Sequence, residues 1–192
     1  MEENIYLIMN KPCGYVCSAV SDSHKTVYEL LTPELQALVR GAKRGHRLHT
    51  IGRLDAETSG LLLFTTDGMF SHRVAARDSG IEKTYVAKLE CDVSPENQEI
   101  YKTRASKGLT LPAEKKAGEQ ECEPAILTFT SPNLCQITIH EGKFHEVRRI
   151  FRALGNEVKE LKRISIGNLT LPKELKQGQW RPLTQSEINL IF

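Results

Sequence analysis

The apolar residues of this 192-residue chain change period repeatedly, from short alternating or continuous runs to helical spacing and back, which excludes both an all-helical bundle and a uniform all-β fold. "IYLIM" (residues 5–9) predicts a short buried strand that ends at Asn10-Lys11-Pro12, where proline and Gly14 impose a turn. Residues 61–66 form an apolar, β-leaning run, and Asp67-Gly68 reads as a turn before a helix over residues 69–77. "KTYVAKLE" (residues 83–90) alternates strictly, with Tyr85, Ala87 and Leu89 on one face and Thr84, Val86 and Lys88 on the other, so it predicts a strand with two unlike faces. Residues 125–130 and 135–140 predict an antiparallel pair joined by Ser131-Pro132-Asn133, and residues 158–166 a further strand. Helices are predicted over residues 33–40, with Thr32 as N-cap and Pro33 at the first helical position, and over residues 95–105. Thr184-x-x-Glu187 is a capping box that opens a last short helix. The polar, aperiodic residues 111–124 read as a surface loop or hairpin connection. Strands outnumber helices and follow one another through short turns. The expected class is therefore α+β: a mixed, largely antiparallel sheet with flanking helices.

With 40% apolar residues a chain of this length can bury one good core, so residues 1–192 are expected to form one catalytic-sized domain, built as two sub-lobes around a cleft. The net charge of +2 is too small to announce a nucleic-acid protein, and the distribution of charge says more than the sum. Five cysteines, an odd number with no C-x-x-C pair, argue against a disulfide framework and a zinc site; they fit a reducing cytoplasm. The first apolar run is too short for a membrane span and lacks a basic leader, so neither a signal peptide nor a membrane partner is expected.

Chemistry concentrates in three places. "VRGAKRGHRLHTIGRLD" holds Arg40, Lys43, Arg44, His46, Arg47, His49 and Arg53 between glycines. Guanidinium groups bind phosphates bidentately and glycines let the backbone follow an irregular ligand, so the pattern suits structured RNA as well as a solvated surface loop. Asp55 follows it at once. Asp-Ala-Glu-Thr-Ser-Gly is a turn or cap composition in its own right. On an extended chain, however, Arg53 would share a face with Asp55 and keep the acid ionised. Third, "EGKFHEVRRIFRALG" predicts the strongest helix, residues 144–154, closed by Gly155-Asn156. Val147, Ile150, Phe151 and Leu154 fall on one face, and His145, Arg148 and Arg152 on a second stripe. Lys143, Arg149, Lys162 and Arg163 extend the positive region, either as solvated surface or as an RNA-facing groove.

Four ordered segments, "NKPCGYVCS" (residues 10–18), "GRLDAETSGLLLFTTDG" (52–68), "EKTYVAKL" (82–89) and "EGKFHEVRRIFRALGNEVKELKRISIG" (141–167), together resemble the RsuA-type family of pseudouridine synthases, which modify ribosomal RNA. The resemblance implies the pseudouridine synthase fold, with a catalytic cleft across the sheet. It makes Asp55 of G-R-L-D the essential acid. Tyr85 of K-T-Y would pack against the target base, Arg148 would pair with Asp55, and Arg53 would fill the place of the flipped nucleotide. Leu161 would form part of the pocket wall. The basic residues expected to meet RNA are Arg53, Arg40, Lys43, Arg44, Arg47, His145, Arg149, Arg152 and Arg163.

The isomerisation loses no atom, so neither cofactor nor metal is implied, and the expected partner of a monomeric enzyme is ribosomal RNA or a pre-ribosomal particle. "GYVCS" and "KTYVAKL" look closer to members acting on small-subunit RNA than to those acting on the large subunit. Two features depart from the family pattern. The small RNA-binding domain that most members carry ahead of the catalytic domain is not expected here, and Glu146 stands where glutamine is commoner. Two rival readings of the same residues stay open: a binding-only ribosome-assembly protein, and a glycosidic hydrolase. The hydrolase would need a second carboxylate, for which Glu57 is poorly placed.

Overall fold

The computed structural model describes residues 3–41, 46–76 and 79–192. The chain divides into two compact units, Met1–Ser79 with Ser165–Phe192, and Gly80–Ile164.

In the first unit, β1 (Tyr6–Lys11) is central and pairs antiparallel with two strands, β5 (Thr58–Thr65) on one side and β13 (Trp180–Pro182) on the other. The strand β4 (His49–Ile51) pairs antiparallel with the end of β5. All eight residues of β5 are buried, which is why it reads as a continuous apolar run and not as an alternation. The short strands β2 (Tyr15–Val16) and β3 (Lys25–Thr26) form a small parallel pair. The helix α1 (Pro33–Arg40) starts at Pro33 as predicted. Asp67 corrects the expected turn: its side chain accepts the Phe70 N–H at 2.9 Å and caps α2 (Gly68–Ala75). Late in the chain β12 (Leu169–Thr170) pairs with residues 165–166, and the capping box at Thr184 and Glu187 opens α5 (Gln185–Asn189).

The second unit runs β6 (Lys83–Leu89), α3 (Pro95–Ala105), β7 (Thr110–Leu111), β8 (Gln120–Glu121), β9 (Ile126–Ser131), β10 (Leu134–Ile139), α4 (Glu146–Ala153) and β11 (Val158–Ile166). Its strands lie in the order β11, β6, β10, β9, and both β10 pairings are antiparallel. The polar segment read as a surface loop or hairpin connection is the latter, with β7 and β8 paired antiparallel. Helix α4 begins two residues later than its periodicity suggests, because His145 takes a left-handed conformation with φ 48°. Its predicted apolar face, Val147, Ile150, Phe151 and Leu154, is buried throughout. Gly155, at φ 89°, supplies the left-handed exit that the sequence signals. Each unit thus has a mostly antiparallel sheet with flanking helices, the class that the sequence pattern predicts.

Candidate active site

Asp55 lies on the loop between β4 and β5. The chain leaves β4 at Ile51 and turns through Gly52 at φ 65°, so residues 53–55 are not a strand and the shared-face argument for Arg53 and Asp55 does not apply. Arg53 is exposed and Asp55 half-buried. The loop is held from its N-terminal side by Cys17, whose Sγ donates to the Leu54 carbonyl and accepts the Leu54 N–H, each at 3.4 Å. From the other side it is held by Lys11. That side chain is fully buried, and its ammonium donates to the carbonyls of Asp55 (3.0 Å), Ala56 (3.4 Å), Thr58 (2.8 Å) and Pro12 (3.1 Å). The Gly14 N–H donates to the Ala56 carbonyl at 2.8 Å, and the Thr58 N–H to the Asp55 carbonyl at 3.1 Å.

A buried ammonium bonded to carbonyl oxygens is a way to fix a backbone, because each carbonyl would otherwise lose its water without replacement. Burial pulls the Lys11 ammonium below the ordinary lysine range, and the nearby thiols of Cys17 and Cys13 and the carboxylates of Asp55 and Glu57 push back. Lys11 is a residue the sequence reading passed over as part of a turn. The signal was present: a lysine at the end of an otherwise continuously buried strand.

The remaining cations predicted for this unit are Arg40, Lys43, Arg44 and Arg47. Arg40 ends α1 and is exposed. Arg47 is exposed as well, but its Nε donates to the Val39 carbonyl at 2.5 Å, so the guanidinium is tethered to the C-terminal turn of α1. Lys43 and Arg44 lie outside the described residues.

In the second unit, Tyr85 sits on β6 opposite Ile137, only 8% exposed. Arg148, on α4, is half-buried, and its Nη1 donates to the Val158 carbonyl at 2.8 Å, which fixes the guanidinium against the start of β11. Leu161 and Arg163 share the buried face of β11. His145 stacks on Phe144, with ring centroids 3.9 Å apart, and its Nδ1 lies 3.1 Å from a Glu114 carboxylate oxygen.

Two expected RNA contacts are corrected here. Arg149 does not extend a surface stripe: it is 0% exposed, and its guanidinium donates to the carbonyls of Pro112, Phe144, Leu111 and Gly118 and to the Gln120 side chain. The second half of Arg148-Arg149 therefore organises the loop of residues 111–120 from within. Helical geometry turns consecutive residues about 100° apart, so one arginine can sit at the rim while the next points into the core. Arg163, at 3% exposure, is also interior, beside Lys83. Arg152 is exposed, but its charge is engaged by Glu157 at 3.0 Å and by Glu114 at 3.9 Å.

The family model described as RNA pseudouridylate synthase matches residues 5–153 of the chain. This chain belongs to the RNA pseudouridylate synthase family. It is thus a pseudouridine synthase by class, and the G-R-L-D loop and β6 both fall inside the matched region. The Escherichia coli K12 protein "Ribosomal small subunit pseudouridine synthase A" is 40% identical over 183 residues, covering 95% of this chain and 72% of the relative. The Haemophilus influenzae protein of the same name is 38% identical, over 98% of this chain and 74% of the relative. Among solved structures, one titled "Crystal structure of pseudouridylate synthase" aligns with a TM-score of 0.85 at 38% identity, over 100% of this chain and 75% of that one. A Cbf5-Nop10-Gar1 complex aligns at TM-score 0.58 with 17% identity, over 90% of this chain and 52% of that one, which speaks for the fold alone.

Proposed function

We propose that the chain isomerises uridine to pseudouridine in ribosomal RNA of the small subunit, with Asp55 as the essential acid. The observation that carries this reading is the 40% identity, over nearly the whole chain, to a relative named for that substrate. The clamp on the Asp55 loop supports the role of the carboxylate, since a reacting group gains from a backbone fixed before substrate arrives.

The reaction breaks the bond between C1′ of the ribose and N1 of uracil and turns the base. It then forms a bond from C1′ to C5 and moves the C5 proton to solvent while N1 regains one. Every heavy atom of the nucleotide is kept. An ionised carboxylate can act on the sugar as nucleophile or as base, and either use requires the base to leave its stack, at about a few kcal/mol. Tyr85 supplies an aromatic face worth roughly 1–3 kcal/mol of stacking to a flipped base. Arg148 completes the catalytic set as its cation, Leu161 supplies apolar wall, and Arg53, Arg40, Arg47 and His145 supply phosphate contacts. The soluble substrate is ribosomal RNA or a particle containing it.

Substrate choice is tested by incubating the protein with small-subunit and large-subunit ribosomal RNA, free and in precursor particles, then mapping pseudouridine by chemical labelling and primer extension. Modification of a single uridine in the small-subunit RNA is the expected result. A site confined to large-subunit RNA would contradict the substrate assignment.

A further inference from the structure

The turn that enters α4 buries two carboxyl groups around Lys143. Glu146, the first residue of α4, is 4% exposed and accepts the Lys143 N–H at 2.7 Å. Glu141, 7% exposed, accepts the Glu123 N–H at 2.8 Å through Oε1 and pairs with the Lys143 ammonium through Oε2. Both carboxyls thus converge on Lys143, Glu141 on its ammonium and Glu146 on its backbone N–H. Two buried carboxylates held together in this way repel when both are ionised, so the pair is stable with one proton between them. The ammonium pairs with Glu141 while Glu146 bonds to the N–H, so Glu146 is the member that takes the proton.

The surroundings agree. Burial pushes the Glu146 carboxyl up to about 7, and the neighbouring charge of Glu141 adds to it. Burial would raise Glu141 too, but the Lys143 ammonium and the Glu123 N–H outweigh it and hold that carboxyl below its ordinary range. From other elements Glu146 is faced by Lys83 of β6, beside Arg163 of β11, and by the Cys122 thiol that follows β8. Next to it in the turn, His145 is engaged with Glu114.

We propose that Glu141 and Glu146 share one proton, that this proton positions the first turn of α4, and that synthase activity declines when it leaves. Glu146 is thus a positioning residue. Loss of the proton sets two buried like charges against each other, and the segment that must yield is the one holding His145 at φ 48° and leading two residues on to Arg148. The activity readout rests on the pseudouridine synthase reading; the proton itself does not.

The test compares wild type with Glu146→Gln, a neutral isostere of the protonated acid, by initial rates of tritium release from C5-labelled ribosomal RNA between about pH 5.5 and 9. The expected ratio of wild-type to variant kcat is near one at the acid end and falls about five- to tenfold as pH rises through about 7, with KM nearly unchanged. A ratio that stays constant with pH overturns the proposal. Because the variant could fail to fold, wild-type protein labelled with carbon-13 at glutamate carboxyls is titrated in parallel by NMR. One glutamate carboxyl with a midpoint near 7 supports the shared proton, and titration of every glutamate below about 5.5 overturns it. Absence of tritium release from all samples would count against the synthase reading, while the titration would still decide the proton.

Discussion

The Asp55 loop and the turn into α4 solve the same problem, fixing backbone around a candidate catalytic side chain, by opposite means. At the Asp55 loop one ammonium, Lys11, gathers carbonyls that carry no net charge, and the thiol of Cys17 holds the residue before the acid. At α4 the interior holds Arg149 bonded to carbonyls, together with Glu141 and Glu146, each bonded to Lys143. In the first arrangement the buried ammonium has an ordinary range far above neutrality. The second contains a carboxyl that burial pushes up to about 7. A loop held by dipoles keeps its shape over a wide pH range; a turn held by paired charges keeps it only while their protons stay in place.

The largest effect should come from Arg149→Met. It removes a fully buried guanidinium together with its bonds to four carbonyls and the Gln120 side chain, and a loss of roughly 3–5 kcal/mol in unfolding free energy is expected in denaturant titrations. Hydrogen exchange should locate the lost protection in residues 110–121 and in α4. Protection unchanged there would mean that the guanidinium is dispensable to the turn.

Lys11→Met should cost about 2–3 kcal/mol and lower kcat more than it raises KM, because the damage falls on the backbone carrying Asp55. A change confined to KM would show that Lys11 does not act through that loop.

A smaller effect separates the two regions by pH. Glu146 binds its proton more tightly in the folded state than in the unfolded one. Stability should therefore fall as pH rises from the ordinary carboxylate value of 4.5 to about 7, then level off. Glu141, held low, acts only below 4.5, where stability should fall as pH is lowered. Thermal unfolding across this range checks the sign, and Glu146→Gln should flatten the decline above 4.5. The smallest effect belongs to Lys88→Ala, which breaks an exposed pair with Glu160 and should change stability by less than about 1 kcal/mol in the same titrations.

Much of the fold was legible in the sequence. Strict alternation marks β6, proline and a cap residue mark α1 and α3, and the apolar stripe of α4 predicts the four residues that pack. Less legible were the features that depend on distant partners. Nothing local distinguishes Arg148 from Arg149, because the carbonyls that swallow Arg149 come largely from a loop about 30 to 40 residues earlier. Lys11 looked like part of a turn because three of its four acceptors lie more than 40 residues away. His145 shortens the helix through a left-handed conformation that helical periodicity does not encode. Asp55 stood out through its motif, while the turn at Gly52 removed the strand geometry once used to relate it to Arg53.

The central claim is that the carboxylate of Asp55 starts the isomerisation, and the direct measurement is tritium release from C5-labelled small-subunit ribosomal RNA by wild type and Asp55→Asn at matched RNA occupancy. The account predicts release approaching one equivalent per RNA with wild type and none above background with the variant, whose RNA affinity stays within about twofold. Release by Asp55→Asn at a rate comparable to wild type would contradict it.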